Sequence, residues 1–83
     1  MSTPDFEHLL KKARDAAAGG HDAWRVQSTG EKLAVALVLN RADWLAEMQY
    51  TLAEAIDRVG MTWIRYIRTV ERIIVDETLA ADE

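Results

Sequence analysis

The sequence predicts an all-α fold, a small bundle of four to five helices in one helical domain covering 1–83. Three observations carry that expectation. Ser28-Thr29-Gly30-Glu31 and Thr51-Leu52-Ala53-Glu54 both have capping-box spacing, in which a hydroxyl and a carboxylate three residues apart satisfy the free amides of a helix start. Apolar residues recur at helical intervals on either side of these boxes. Glycines stand just past the periodic stretches, at Gly19-Gly20 and at Gly60, where helices stop.

The first helix is expected near 4–18. Thr3 or Ser2 caps it, Pro4 stands near its first position, and Asp5 lies in its positive first turn. Phe6, Leu9, Leu10, Ala13 and Ala17 form one apolar stripe that Gly19-Gly20 brings to an end. His21 to Gln27 has no period and is expected to be a loop, from which Trp24 and Val26 fold back toward the core. A second helix, near 30–39, runs through LAVALVL. Val35 and Val38 would also suit a strand, but the capping box upstream and Ala34 and Ala36 within the run decide for helix. Apolar on all sides, this helix belongs at the centre.

Asn40 is expected to cap a third helix near 41–49, with Trp44, Leu45 and Met48 on its inner side. A fourth follows the second capping box over 52–59. The two could merge with a kink near Tyr50. Thr62 opens the last helix, near 62–78, and the acidic tail from Ala80 to Glu83 is expected to fray. The expected core is Leu33, Leu37, Leu45, Ile56, Ile67 and Val70.

Composition narrows the function classes. Apolar residues make up 49% of the chain, too many for a disordered one. With no cysteine there is no disulfide, no thiolate nucleophile and no thiolate metal ligand, which fits a reducing cytoplasm. The N-terminus lacks an apolar signal segment. The longest apolar run is seven residues, against about 20 for a membrane span. A net charge of −4 argues mildly against non-specific nucleic-acid binding.

Few residues offer chemistry. His8 lies opposite the first apolar stripe and is expected in solvent. His21-Asp22 has no evident nucleophile beyond nearby Ser28 and no metal-ligand spacing, so a turn-capping role is expected. No catalytic residue, metal ligand or cofactor motif emerges, and the chain is expected not to be an enzyme. Ala42 to Val59 has the outline of a helix-turn-helix, with Ala46 and Ile56 at the positions for a small and a buried branched residue. Its second helix carries Glu54 and Asp57 against one Arg58, poor chemistry for reading bases. The competing reading is a plain antiparallel helix pair.

On the last helix Arg65, Arg68 and Arg72 fall on one side of the wheel, opposite Trp63, Ile67, Val70 and Ile74. They are candidates for gripping a partner, or simply a solvated face with Arg72 paired to Asp76. Trp44 and Trp63 serve as core or as interface anchors, and Trp24 is expected to be the most exposed tryptophan and a partner contact. The apolar arc is wide enough to suggest a homodimer through Tyr66, Ile73 and Ile74.

The stretch STGEKLAVALVLNRADWLAEMQYTLAEAIDRVG, continuing to Trp63-Ile64, resembles small proteins of unknown function carried on integrative and conjugative elements and related mobile DNA of proteobacteria. The resemblance covers somewhat under half of the chain and holds no catalytic signature. It implies accessory cargo in a bacterial cytoplasm, not an activity. One reading is then a non-enzymatic interaction protein that binds another protein, an anti-CRISPR-like inhibitor of bacterial defence being one form of that role. The alternative is a DNA-binding regulator using 42–59 and the arginines.

Overall fold

A computed structural model describes residues 3–81, which form six helices and no strand among the described residues. They are α1 (Pro4–Trp24), α2 (Thr29–Val38), α3 (Ala42–Glu47), α4 (Leu52–Val59), α5 (Met61–Ile64) and α6 (Ile67–Ala81). The molecule measures 36 × 28 × 19 Å. Its short axis is about two helix diameters of ~10 Å, so two layers enclose one core.

The helix starts follow the caps. Thr3 accepts the Phe6 amide with Pro4 next in the chain, while the alternative cap at Ser2 lies outside the described residues. Ser28–Glu31 and Thr51–Glu54 each form the full reciprocal box. α2 is the centre, packing against α1, α3, α4 and α6. Leu33, Ala34, Val35, Ala36 and Val38 are all buried, covering nearly the whole circumference of the helix.

Four expectations are corrected. First, Gly19-Gly20 kinks α1 without ending it. Gly20 takes φ +68°, which suits a residue without a side chain, and the helix then resumes through His21–Trp24. A Cβ on Gly19 would stand 2.6 Å from that of Ala23, so the close approach also needs glycine. The expected loop at 21–27 is therefore mostly a helical turn.

Second, Asn40 does not cap α3, whose N-cap Arg41 makes no side-chain cap bond. Asn40 closes α2 at φ +55°, with its amide on Leu37 O and that of Arg41 on Ala36 O, the paired bonds of a Schellman ending. Gln49, at φ +63°, repeats the motif after α3, with the Tyr50 amide on Leu45 O. Both caps use a non-glycine residue in the left-handed region, so neither has the usual glycine signal.

Third, the last helix is broken at Arg65-Tyr66 into α5 and α6. Trp63, Ile64, Tyr66 and Ile67 span more than one helical face, and the break turns Trp63 and Tyr66 toward different neighbours. Trp63 goes to His8 and Tyr66 to Phe6, whose ring meets it edge-on at 5.6 Å. Fourth, the core differs in membership. Leu33, Leu45 and Val70 are buried and Leu37 and Ile67 half-buried, but Ile56 is 49% exposed.

Two stability outcomes follow. Leu33→Ala should cost about 2–5 kcal/mol, since the side chain is fully enclosed, whereas Ile56→Ala should cost well under half of that. Urea unfolding of both variants checks the contrast, and equal losses would contradict the packing described. Gln49→Gly should raise stability by about 0.5–1 kcal/mol, the left-handed penalty of ~1–2 kcal/mol less the added chain entropy of glycine. A lowered thermal midpoint would show that the Gln49 side chain contributes more than its backbone strain costs.

Candidate protein-binding surface

The polar chemistry of the chain is largely spent between helices. His21, in the resumed turn of α1, places Nε2 2.9 Å from both carboxylate oxygens of Glu47 at the end of α3. Its ring lies beside Trp24 and Trp44, which stack on each other at 4.7 Å. Arg41 covers the other side, its guanidinium 4.3 Å from the Trp44 ring and bidentate to Asp43 at 3.0 and 2.7 Å. Asp22, expected to act with His21, instead faces Arg25 at 3.6 Å. Ser28 uses its hydroxyl to cap α2.

His8 repeats the arrangement at the other end of α1. It is partly in solvent, as expected, but its Nε2 is 2.6 Å from Glu31 and its ring stacks on Trp63 of α5 at 5.6 Å. Glu31 thus serves two partners, because its other oxygen accepts the Ser28 amide at 2.9 Å. Burial alone pushes the Glu31 carboxyl up, but the Ser28 and His8 hydrogen bonds and the nearby Lys12 charge outweigh it and hold the group below the ordinary glutamate range. Arg14 Nε donates to both Glu77 oxygens at 3.1 Å, joining α1 to α6 and holding that carboxyl down as well. Among the described residues no three His, Cys, Asp or Glu side chains gather closely enough to hold a metal ion.

The residues expected to meet a partner separate in the fold. Trp24 is fully buried, with its indole N–H donated to Lys32 O at 2.9 Å, so it faces no partner. It lies inside because the Gly20 kink turns it inward. Arg65, Arg68 and Arg72 are exposed, but the break before α6 removes Arg65 from the helix of the other two. Arg65 leans over Tyr66 at 6.0 Å and Arg68 stands 3.5 Å from Glu71, while the expected Arg72–Asp76 pair does not form. Ile74 is buried and Tyr66 is packed against the core, with Ile73 half-buried. The expected self-association surface is thus mostly internal. The small Ala13 and Ala16 of α1 are themselves buried, and α1 packs on α6 to close that side.

Other apolar groups are open instead. On α4 the apolar stripe is wider than the part the bundle covers. Ala55 is buried and Val59 half-buried, while Leu52 and Ile56, one turn apart on the same stripe, are 59% and 49% exposed. Met61, just past the Gly60 stop, is 73% exposed. Glu54 and Asp57 are the acids of this helix and Arg58 its one base. A sharply amphipathic helix with only one alanine fully inside was the sequence signal for this surface, and counting Ile56 as core hid it. The exposure of Ile56 also removes the buried branched residue that the helix-turn-helix outline requires.

Comparison with known proteins finds no matching family, no matching curated protein and no matching solved structure. No helix among the described residues is long and apolar enough to cross a membrane.

The lowered Glu31 pKa has a definite sign. A folded value below the unfolded one contributes stability above the unfolded value, and the contribution is lost as pH falls through the folded value. Glu31→Gln keeps a capping oxygen and removes the charge. Wild type should therefore melt higher than this variant near neutral pH, with the two converging in acid. A gap unchanged by acidification would show that the charge plays no part.

Proposed function

We propose that the protein is a non-enzymatic interaction module that binds another protein through the outer face of α4, with Leu52 and Ile56 as its apolar anchors. The single observation behind this reading is that the two are about half exposed on a helix whose Ala55 and Val59 face the core. Large apolar side chains left in water are a cost that a partner relieves, at roughly 1.5–3 kcal/mol for each one fully buried. Glu54 and Asp57 beside them, and the net charge of −4, favour a partner with basic residues around an apolar spot. Accessory cargo of mobile DNA acting on a host or competing-element protein, including an anti-CRISPR-like inhibitor, fits that mode of action. The cytoplasm, where such partners reside, is the matching compartment.

Several observations support the non-enzymatic part. Each histidine has a nitrogen engaged with a glutamate, and the nearest serine hydroxyl is a helix cap. The DNA-reading alternative is disfavoured by the acidic and apolar face of α4. Arg41 and Arg68 also lie beside carboxylates, which breaks up a continuous positive strip. A homodimer is compatible with this role, since the α4 face uses none of Tyr66, Ile73 and Ile74.

The test starts from affinity capture of a partner in a native host and proceeds to titration of the purified pair. The double variant Leu52→Asp/Ile56→Asp should weaken binding roughly tenfold or more, with helical content retained and only a modest fall in thermal midpoint. Binding that survives the double variant overturns the assignment to α4. Salt-sensitive association with duplex DNA, retained by the double variant, would favour the regulator instead.

A further inference from the structure

The open side of α4 holds more than its two apolar anchors. Residues four apart on a helix stand one above the other as neighbours on its surface. Leu52 and Ile56 form one such row, and Ala53 and Asp57 form the next, one position further round the helix. All four are exposed. A furrow runs between two such rows on any helix. Here it is shallowest at Ala53, whose side chain ends at Cβ, and it has Asp57 at its other end.

Asp57 is the one charged residue of these two rows, and no ion pair among the described residues includes it. The other acid of the helix is already in use, because Glu54 accepts the Thr51 amide at 2.9 Å as part of the cap. Arg58 stands two positions past Ile56, about 200° round the helix, and does not share the furrow. A partner therefore meets two apolar side chains beside one uncompensated negative charge. A second α4 face set against the first would supply no base to meet Asp57. A strand would gain little here, since strands bind chiefly through main-chain bonds to a sheet edge, and the described residues contain no strand.

We infer, on the reading that α4 is the binding face, that the partner's contact element is an amphipathic helix whose apolar row lies in this furrow and which carries an arginine or lysine opposite Asp57. Rows of side chains four apart on one helix seat in the furrows between such rows on another, the commonest way that helices pack. Leu52 and Ile56 flank the seated row, and Ala53 lets it come close. The base opposite Asp57 fixes how far the partner slides along the furrow, because a charge pair in a partly dehydrated contact sets register as well as strength.

The test titrates the whole protein with a synthetic alanine-based helix of about 18 residues, carrying leucines four apart and arginines beside them. One control peptide has glutamate in place of arginine, and another has the same composition with central prolines that break the helix. Binding is followed by amide NMR shifts. The arginine peptide should bind reversibly, with shifts centred on Leu52 to Asp57, should weaken as salt is added, and should bind about tenfold more tightly than either control. Asp57→Asn should weaken it about two- to fivefold, whereas Asp76→Asn, which removes the same charge from α6, should not. Asp57→Arg should turn the preference to the glutamate peptide. Ala53→Gln fills the furrow at an exposed position and should weaken binding about tenfold with helicity kept. An arginine peptide that does not bind, that shifts other residues, or that still binds Leu52→Asp/Ile56→Asp overturns both α4 as the docking face and the inference. Binding that needs Leu52 and Ile56 but is equal for the proline-broken peptide, or indifferent to Asp57→Asn, overturns the inference alone and leaves α4 as the face for a partner of another shape.

Discussion

The arrangement of the helices depends on the burial of Trp24. Its ring stacks on Trp44 of α3 and its N–H bonds the Lys32 carbonyl of α2. One side chain thus ties three helices together, and a buried indole without its hydrogen bond would be costly. The chain reaches this position only by bending at Gly20 and letting Gly19 pass close to Ala23. The glycine pair is therefore a hinge between a long helix and the turn that delivers its largest core residue. α2 can be apolar all round because α1, α3, α4 and α6 enclose it.

Around that core, polar groups act as ties between helices. His8 joins α1 to α2 and α5, His21 joins α1 to α3, and Arg14 joins α1 to α6. Most of these pairs are at least partly in solvent, so each contributes little alone. Their value is orientation, since α1 has a partner at both ends and in its middle.

The core does not absorb every large apolar residue. Leu52 and Ile56 on α4, and Val75 and Leu79 on α6, are left in water. They occur as pairs one turn apart, which sets them apart from the scattered exposed residues found on any protein surface. The α4 pair lies on a helix with two acids and one base.

The all-α class, the central place of α2, the two capping boxes and the bounds of α4 were legible in the residues, because caps and periodicity act within a turn or two of the chain. The sequence marked Gly60 correctly as a stop, and took the kink at Gly19-Gly20 for one. It could not say what happens after an interruption. Whether the helix resumes at His21 or breaks at Arg65 depends on what waits across the bundle, Trp44 and Lys32 for Trp24, Phe6 for Tyr66. Left-handed endings at Asn40 and Gln49 were hidden for a related reason, since the strain there is borne by bonds to Ala36, Leu37, Leu45 and Ala46. The candidate surface was the least legible part. Periodicity assigns an apolar face to a helix but not the fraction of it that neighbours will cover, so Ile56 resembled core and Ile74 resembled interface. Tertiary packing reversed both, because the alanines of α1 allow a close approach to α6 while nothing among the described residues lies over the outer face of α4.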